Sequence, residues 1–180
     1  MTAALDRALP RVPIVKGAFW LGAIAPDLPL WLLSIGGAVY YHGMMGWTPE
    51  QAATRMFDEL FFQSPWWIVP HNLLHAPIVL LVGILVVWRS RRNIGSVQRW
   101  LFWFLVSCLF HSAIDIFTHV DDGPLIFFPF DWHTRFRSAI SYWDDRYYGQ
   151  IFQPIELALD VMLAGYLLTP VLARWLRRYP

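Results

Sequence analysis

The apolar residues of the chain are gathered in four long runs separated by polar stretches. The runs cover about residues 17–41, 65–88, 97–118 and 151–176. A helix needs about 20 residues to cross a hydrocarbon core of about 30 Å, and each run has that length. The pattern therefore predicts an all-α integral membrane bundle of about four transmembrane helices, with residues 1–180 forming a single transmembrane domain.

The first run is interrupted by the sequence Pro26-Asp27-Leu28-Pro29. Two prolines beside a charged residue break a helix, and irregular backbone at membrane depth persists only where it lines a protein interior or a wet cavity. We therefore expect a broken first helix, with Asp27 at a functional site. Further on, Thr48-Pro49-Glu50 is a helix-start signal and predicts a short helix on the membrane surface over residues 49–61. Residues 120–149 are predicted to form a long irregular outer loop.

Ionisable side chains occur inside the apolar runs, where they are costly and normally face a bundle interior or cavity. His111, Asp115 and His119 follow one another at intervals of four residues at the end of the third run, and we expect them to share one helix face. His71 and His75 lie one turn apart near the start of the second run, at the spacing by which two helical imidazoles share a metal. Glu156 lies near the start of the fourth run.

The distribution of Lys and Arg predicts the orientation. Ten of the 14 basic residues fall on one side of a four-span topology, in the N-terminal arm, in the loop between the second and third spans and in the tail. We therefore expect both termini in the cytoplasm, in a membrane of the bacterial inner membrane type. The ligand-type side chains then lie together in the outer half of the bundle.

Composition excludes several classes of protein. Charged residues make up 15% of the chain and hydrophobic residues 57%, whereas soluble domains have about 25% charged residues. The net charge of +1 says nothing about nucleic acid, but the lack of a basic cluster interleaved with stacking aromatic residues argues against it as a partner. The single cysteine, Cys108, excludes an internal disulfide framework.

These residues offer more nitrogen and carboxylate ligands than one ion needs. The candidate metal ligands are Asp27, His71, His75, His111, Asp115 and His119. Zinc suits such a set and, in catalytic sites, keeps an open position for water, although ligand type alone also admits Mn, Fe or Ni. Bound zinc lowers the pKa of its water and polarises a carbonyl or phosphoryl oxygen. Asp27 and Glu156 are the candidate catalytic residues, as general base or as orienting groups.

Three sequence blocks resemble the YdjM-like family of membrane-bound, metal-dependent hydrolases, itself similar to zinc-dependent phospholipase C-like proteins. Gly22-Ala-Ile-Ala-Pro26-Asp27 resembles the family's Gly-x-x-x-Pro-Asp block, and in His71-Asn-Leu-Leu-His75 the last histidine matches the family's second block. The stretch 111–119, His-Ser-Ala-Ile-Asp-Ile-Phe-Thr-His, resembles His-x-x-x-Asp-x-x-Thr-His and is the most specific. The resemblance implies ligand roles for Asp27, His75, His111 and Asp115, with His119 as a further candidate.

Three functions follow as hypotheses. The first is hydrolysis of an ester or phosphoester in a lipid-like substrate, with membrane lipid as the partner. The second is a non-catalytic accessory subunit that docks in a larger membrane complex, which is motivated by the eleven Trp residues and by the family elements that are missing. The third is binding of haem or another pigment through one histidine from each of two helices.

Overall fold

The computed structural model describes residues 14–89, 95–142 and 144–176, although several side chains of the last helix lie outside this description. Every named element in these ranges is a helix. Two helical stretches, Lys16–Met44 and Ser96–Thr118, are long and apolar enough to cross a membrane. A pair of helices that is bent by 43° adds a third if the pair is counted as one span. The all-α class is thereby confirmed, and the chain has the helices of a membrane protein.

The first stretch is broken, as predicted. Helix α1 covers Lys16–Ile24, helix α2 covers Leu28–Gly37, and the backbone continues as a π-helix over Ala38–Met44. Pro26 has no N–H to donate to the helix, and the chain passes through a turn in which the N–H of Asp27 bonds the carbonyl of Ile24 at 3.2 Å.

The helix start at Thr48-Pro49 is confirmed. Thr48 caps helix α3, Pro49–Ala53, and Gln51 completes a capping box, with the Gln51 N–H bonding Thr48 Oγ1 at 3.2 Å and the Thr48 N–H bonding Gln51 Oε1 at 3.0 Å. The helix continues through a π-helical stretch, Thr54–Leu60, into α4, Phe61–Gln63. Its buried face forms a cluster with Trp67, and this cluster comprises Ala52, Met56, Phe61 and Trp67.

The second apolar run is not one continuous helix, contrary to the prediction. Helix α5, Pro65–Leu73, and helix α6, Pro77–Arg89, meet at an angle of 43°. Pro77 lacks an N–H and disfavours helical backbone at the residue before it, so the helix ends there. The His75 carbonyl at this break accepts a hydrogen bond from the Ser112 hydroxyl of a neighbouring helix.

Helix α7, Ser96–Thr118, follows the predicted third span closely and packs along both α1 and α6. Its contact with α1 is close because Gly22 has no side chain: a Cβ there would lie 2.3 Å from the carbonyl oxygen of Phe104. Small residues allow this approach between membrane helices. The Ser107 hydroxyl adds a hydrogen bond of 2.6 Å to the carbonyl of Phe19.

The predicted long loop follows α7, and its described residues, 119–142 and 144–148, contain no α-helix. An isolated bridge joins Leu125 and Arg135, and a short 3-10 turn covers Asp145–Tyr147. Helix α8, Gly149–Leu176, then occupies the region of the predicted fourth span. The four-span bundle as a whole is not confirmed and remains a prediction.

Candidate metal centre

Both helix breaks meet α7 at a single place. The turn between α1 and α2 carries Asp27, the break between α5 and α6 carries His75, and α7 contributes His111 and Asp115 one turn apart. These four side chains form the group within the described residues that could hold a metal ion, with one ligand atom from each. Three separate segments of the chain therefore build the site.

The distances between the ligand atoms are short and uniform. The Nε2 atoms of His75 and His111 are 3.3 Å apart. Asp115 Oδ2 lies 3.2 Å from Nε2 of His75 and 3.1 Å from Nε2 of His111. Asp27 Oδ1 lies 3.5 Å and 3.4 Å from the same two nitrogens. All four ligand atoms lie within 4.8 Å of one another.

These spacings match the edges of a coordination tetrahedron. An edge is about 1.6 times the distance from centre to corner, so ligand bonds of about 2.0–2.2 Å to zinc give edges of about 3.3–3.6 Å. The five distances from the imidazole nitrogens range from 3.1 to 3.5 Å. The cluster thus has a size that could hold a metal ion.

Hydrogen bonds to the backbone fix the orientation of both imidazoles. Nδ1 of His75 donates to the carbonyl of His71 at 2.8 Å, and Nδ1 of His111 donates to the carbonyl of Ala23 at 3.0 Å. With the proton on Nδ1, a neutral imidazole directs its Nε2 lone pair toward the centre, as metal-ligating histidines do. Two such lone pairs and two carboxylates at these distances need a positive partner, either a metal ion or protons on the rings.

Exposure separates Asp27 from the other three side chains. His75 is 1% exposed, His111 16% and Asp115 17%, whereas Asp27 is 35% exposed. The Asp27 oxygen also makes the two longest contacts of the group. The geometry is therefore that of two histidines and one carboxylate held firmly, with Asp27 on the open side.

His71 and His119 were candidate ligands, and the structure places both beside the group rather than in it. The His71 ring stacks on His75 with centroids 4.2 Å apart, and its Nδ1 is buried without a hydrogen-bond partner among the described residues. His119 follows the last residue of α7 in extended backbone, and its Nδ1 bonds the Asp115 carbonyl at 3.1 Å. On a helix, residues four apart are rotated by about 40° relative to each other. A residue eight positions after His111, as His119 is, would therefore lie about 80° round from it.

The candidate catalytic residue Glu156 lies in α8, and its side chain is outside the described part of the chain. Its predicted role as base or orienting group therefore stays a prediction. Asp27, the other catalytic candidate, lies at the open side of the group.

A cleft of about 1000 Å³ opens beside the four side chains. His71 and His119 line it together with Asp58 and Asp122. Its apolar wall contains aromatic side chains from α2, from the helix over residues 49–63 and from the loop after α7, namely Trp31, Phe57, Phe61, Phe62 and Tyr142. The sequence analysis missed this wall. The signal was the spacing of Phe57 and Phe61, four residues apart in a helix assigned to the membrane surface.

Arg135 lies against this wall but is not one of the residues that line the cleft. Its guanidinium carbon is 5.1 Å from the centroid of the Phe61 ring and 5.2 Å from that of Phe62. It also donates to the carbonyl of Gly123. Burial lowers the pKa of the Arg135 guanidinium to about 10, so it stays charged at neutral pH.

The fold and the site define a helical membrane protein with a His/Asp cluster of metal-binding geometry. No protein-family model, no curated protein and no solved structure matches the chain. The functional argument therefore rests on the geometry of the cluster and the chemistry of the cleft.

Proposed function

We propose that this protein is a membrane-bound metallohydrolase that cleaves an ester or phosphoester bond in a lipid-like substrate. Its metal would be a single divalent cation, with zinc the first candidate, held by His75, His111 and Asp115, with the fourth position open to Asp27 or to water. The observation that carries the proposal is the set of distances of 3.1–3.5 Å from the two Nε2 atoms to each other and to the carboxylate oxygens.

The open side of the group supports a catalytic rather than a closed site. Catalytic zinc sites hold the metal through three protein ligands and keep the fourth position for water or substrate. A cation held there would polarise an oxygen of the substrate and lower the pKa of its bound water. Asp27 lies at the cleft and is the most exposed of the four side chains, so it is suited to accept a proton from water.

The membrane setting supports a lipid-like substrate. Trp31, Phe57 and Phe62 line the cleft and are partly exposed at its surface. We further propose four membrane spans, with α8 as the fourth, and both termini in the cytoplasm of an inner-membrane type of bilayer. The resemblance to the YdjM-like hydrolases, carried by the blocks around Asp27, His75 and His111, agrees with this function.

A structural metal in an accessory subunit is the second candidate. Structural zinc sites are closed by four protein ligands, and all four side chains here offer an atom to the same centre. The cluster joins α1, α7 and the α5–α6 break, so a metal would hold the helices together without catalysing a reaction. A macrocycle is disfavoured, because carboxylate oxygens of Asp27 and Asp115 lie 3.5 Å and 3.2 Å from the His75 Nε2 atom, where the flat ring of a haem would have to fit.

The test is metal content together with activity. Protein purified without chelator should contain about one equivalent of divalent metal, and His111→Ala and Asp115→Ala should each remove it, because the remaining ligands cannot complete the site. His133→Ala is the matched control, since His133 is exposed in the loop after α7. A metal-loaded protein that cleaves no ester or phosphoester of a long-chain substrate would favour the accessory subunit. A wild-type protein without metal would overturn both.

A further inference from the structure

The residues that line the cleft carry more negative than positive charge. Among the described residues that line it, there is no Lys or Arg, whereas four aspartates do line it: Asp27, Asp58, Asp115 and Asp122. A divalent cation at the centre would balance Asp27 and Asp115. The negative charges of Asp58 and Asp122 would then remain. Arg135, which lies near Asp122 behind the aromatic wall, would offset them in part.

This balance disfavours a phosphate group as the part of the substrate that reaches the centre. Proteins bind phosphate through Arg, Lys or helix N-termini, which provide positive charge and several donors. A phosphomonoester dianion entering this cleft would meet the carboxylates of Asp58 and Asp122, which Arg135 offsets only in part, and no Lys or Arg among the described lining residues. An uncharged carbonyl would meet no such repulsion.

The apolar wall indicates the rest of the substrate. Trp31, Phe57 and Phe62 lie on the cleft and also present exposed area at the protein surface, 55%, 41% and 37% respectively. Exposed aromatic side chains that continue into a cleft suit a hydrocarbon chain that arrives from a bilayer. His71, only 6% exposed and with its Nδ1 unpaired among the described residues, adds an unused polar group beside the centre.

We infer that the substrate is a single-chain or double-chain acyl lipid whose scissile group is an uncharged carboxylic ester or amide, and that the protein discriminates against phosphoesters. The inference rests on the proposed function. For an ester, the bond between the acyl carbon and the alkoxy oxygen breaks, and a bond forms between the acyl carbon and a water oxygen. One proton of that water goes to the released alcohol, and the other is lost from the new carboxylic acid.

Binding measurements test this inference without relying on turnover. The full-length protein, in nanodiscs and loaded with zinc, is titrated calorimetrically with N-methyldodecanamide and with dodecyl phosphate, two probes with the same chain. We expect the amide to bind more tightly by about tenfold or more, because the field of the cleft opposes the dianion. Trp31→Ala should weaken both probes to a similar degree, because it shortens the wall and leaves the charges unchanged.

Variants that remove negative charge test whether Asp58 and Asp122 cause the preference for the uncharged probe. The double variant Asp58→Asn, Asp122→Asn should strengthen binding of dodecyl phosphate by about tenfold and leave binding of the amide within about twofold. Asp121→Asn is the matched control, because Asp121 is adjacent in sequence but exposed, paired with Arg137 at 3.5 Å and not part of the cleft lining. It should change neither affinity.

The measurements distinguish a failure of this inference from a failure of the proposed function. If dodecyl phosphate binds the wild-type protein as tightly as the amide, the inference is overturned, even when the protein holds one equivalent of metal. If the protein holds no metal, the proposed function fails. The same titration on metal-free protein then still decides whether the cleft prefers the uncharged probe.

Discussion

The two helix breaks that build the centre differ in how they are held. The turn at Asp27 lies between two prolines and leaves its carboxylate 35% exposed on the cleft. The break at His75 is enclosed, with the imidazole 1% exposed and the His75 carbonyl bonded by Ser112. Asn72, just before this break, is also fully buried and bonds the Ile68 carbonyl and the Leu125 N–H, each at 2.9 Å. One break is thus open and local, and the other is closed by neighbouring segments.

The difference suggests a division of labour between the ligands. A side chain fixed from all sides gives a metal a constant position, as His75 does. A side chain at an open turn can exchange its metal contact for a contact with water or substrate, as we propose for Asp27. Rigid support and an open position are the two requirements of a catalytic metal site.

The largest expected effect separates the two ligands directly. His75→Ala should abolish metal binding, because it removes one of the two imidazoles. Asp27→Ala should retain the metal with an affinity lower by about 10–100-fold, the loss that is typical of groups supporting a ligand. Elemental analysis and competition with a chelator measure both. Equal loss in the two variants would show that Asp27 is a full ligand and that the site is closed.

The second prediction concerns the closed break. Asn72→Ala should lower the free energy of unfolding by about 2–4 kcal/mol, because it removes two buried hydrogen bonds and leaves the buried Leu125 N–H without its partner. Chemical unfolding in detergent, followed by circular dichroism, measures the change. Gln63→Ala, at an exposed position at the end of α4, is the control. A loss below that of the control would mean that the break is held by something other than Asn72.

The third prediction concerns the support of the open turn. Gly22→Ala places a Cβ 2.3 Å from the Phe104 carbonyl oxygen, so α1 and α7 must separate. We expect a loss of about 1–3 kcal/mol in stability, as for other overpacked contacts. Metal affinity should fall as well, because Asp27 lies just after α1 and would move with it, whereas His111 and Asp115 lie in α7. Gly17→Ala in the same helix has nothing within 4 Å of the new Cβ and should leave both quantities unchanged.

The smallest expected effects come from the prolines that begin the helices after each break. Pro29→Ala and Pro77→Ala should each change stability by less than about 1 kcal/mol, because the first N–H groups of a helix have no partner within it and proline there mainly restricts the unfolded chain. Thermal unfolding of the two variants, side by side, measures this. A large loss for Pro77→Ala alone would show that the closed break depends on its proline as much as on Asn72.

The open break and the closed break also differ in how well the sequence predicts them. Pro26, Asp27 and Pro29 form a local signal, and the turn at Asp27 follows from backbone chemistry alone. The break at His75 also has a local signal in Pro77, but the contacts that close it come from Ser112 and Leu125, which are distant in sequence, and the apolar run over residues 65–88 suggested one helix. For the same reason His71, one turn before His75, was expected to be a ligand, whereas the bend leaves it stacked on His75.

Predicting that His111 and Asp115 lie together required only the helix period, since residues four apart lie on one face. The same period extended the prediction to His119, but α7 ends at Thr118, and the structure places His119 beside the group of four side chains. Only the part of the apolar wall that Phe57 and Phe61 form had a signal in the sequence, because the wall as a whole is assembled from α2, the helix over residues 49–63 and the loop after α7. Such long-range packing leaves no regular period in the sequence.

The separation of the ligands along the chain has a mechanical consequence. A metal that joins Asp27, His75 and His111 closes two loops, and the second of these spans 36 residues between the two histidines. In a free chain, a cross-link over a loop of this length removes about 4 kcal/mol of conformational entropy from the unfolded state, and helices already held in a bilayer reduce that figure. A reversible ion would thus act on this protein as a disulfide acts on a secreted one, in a chain whose one cysteine cannot form such a link with itself.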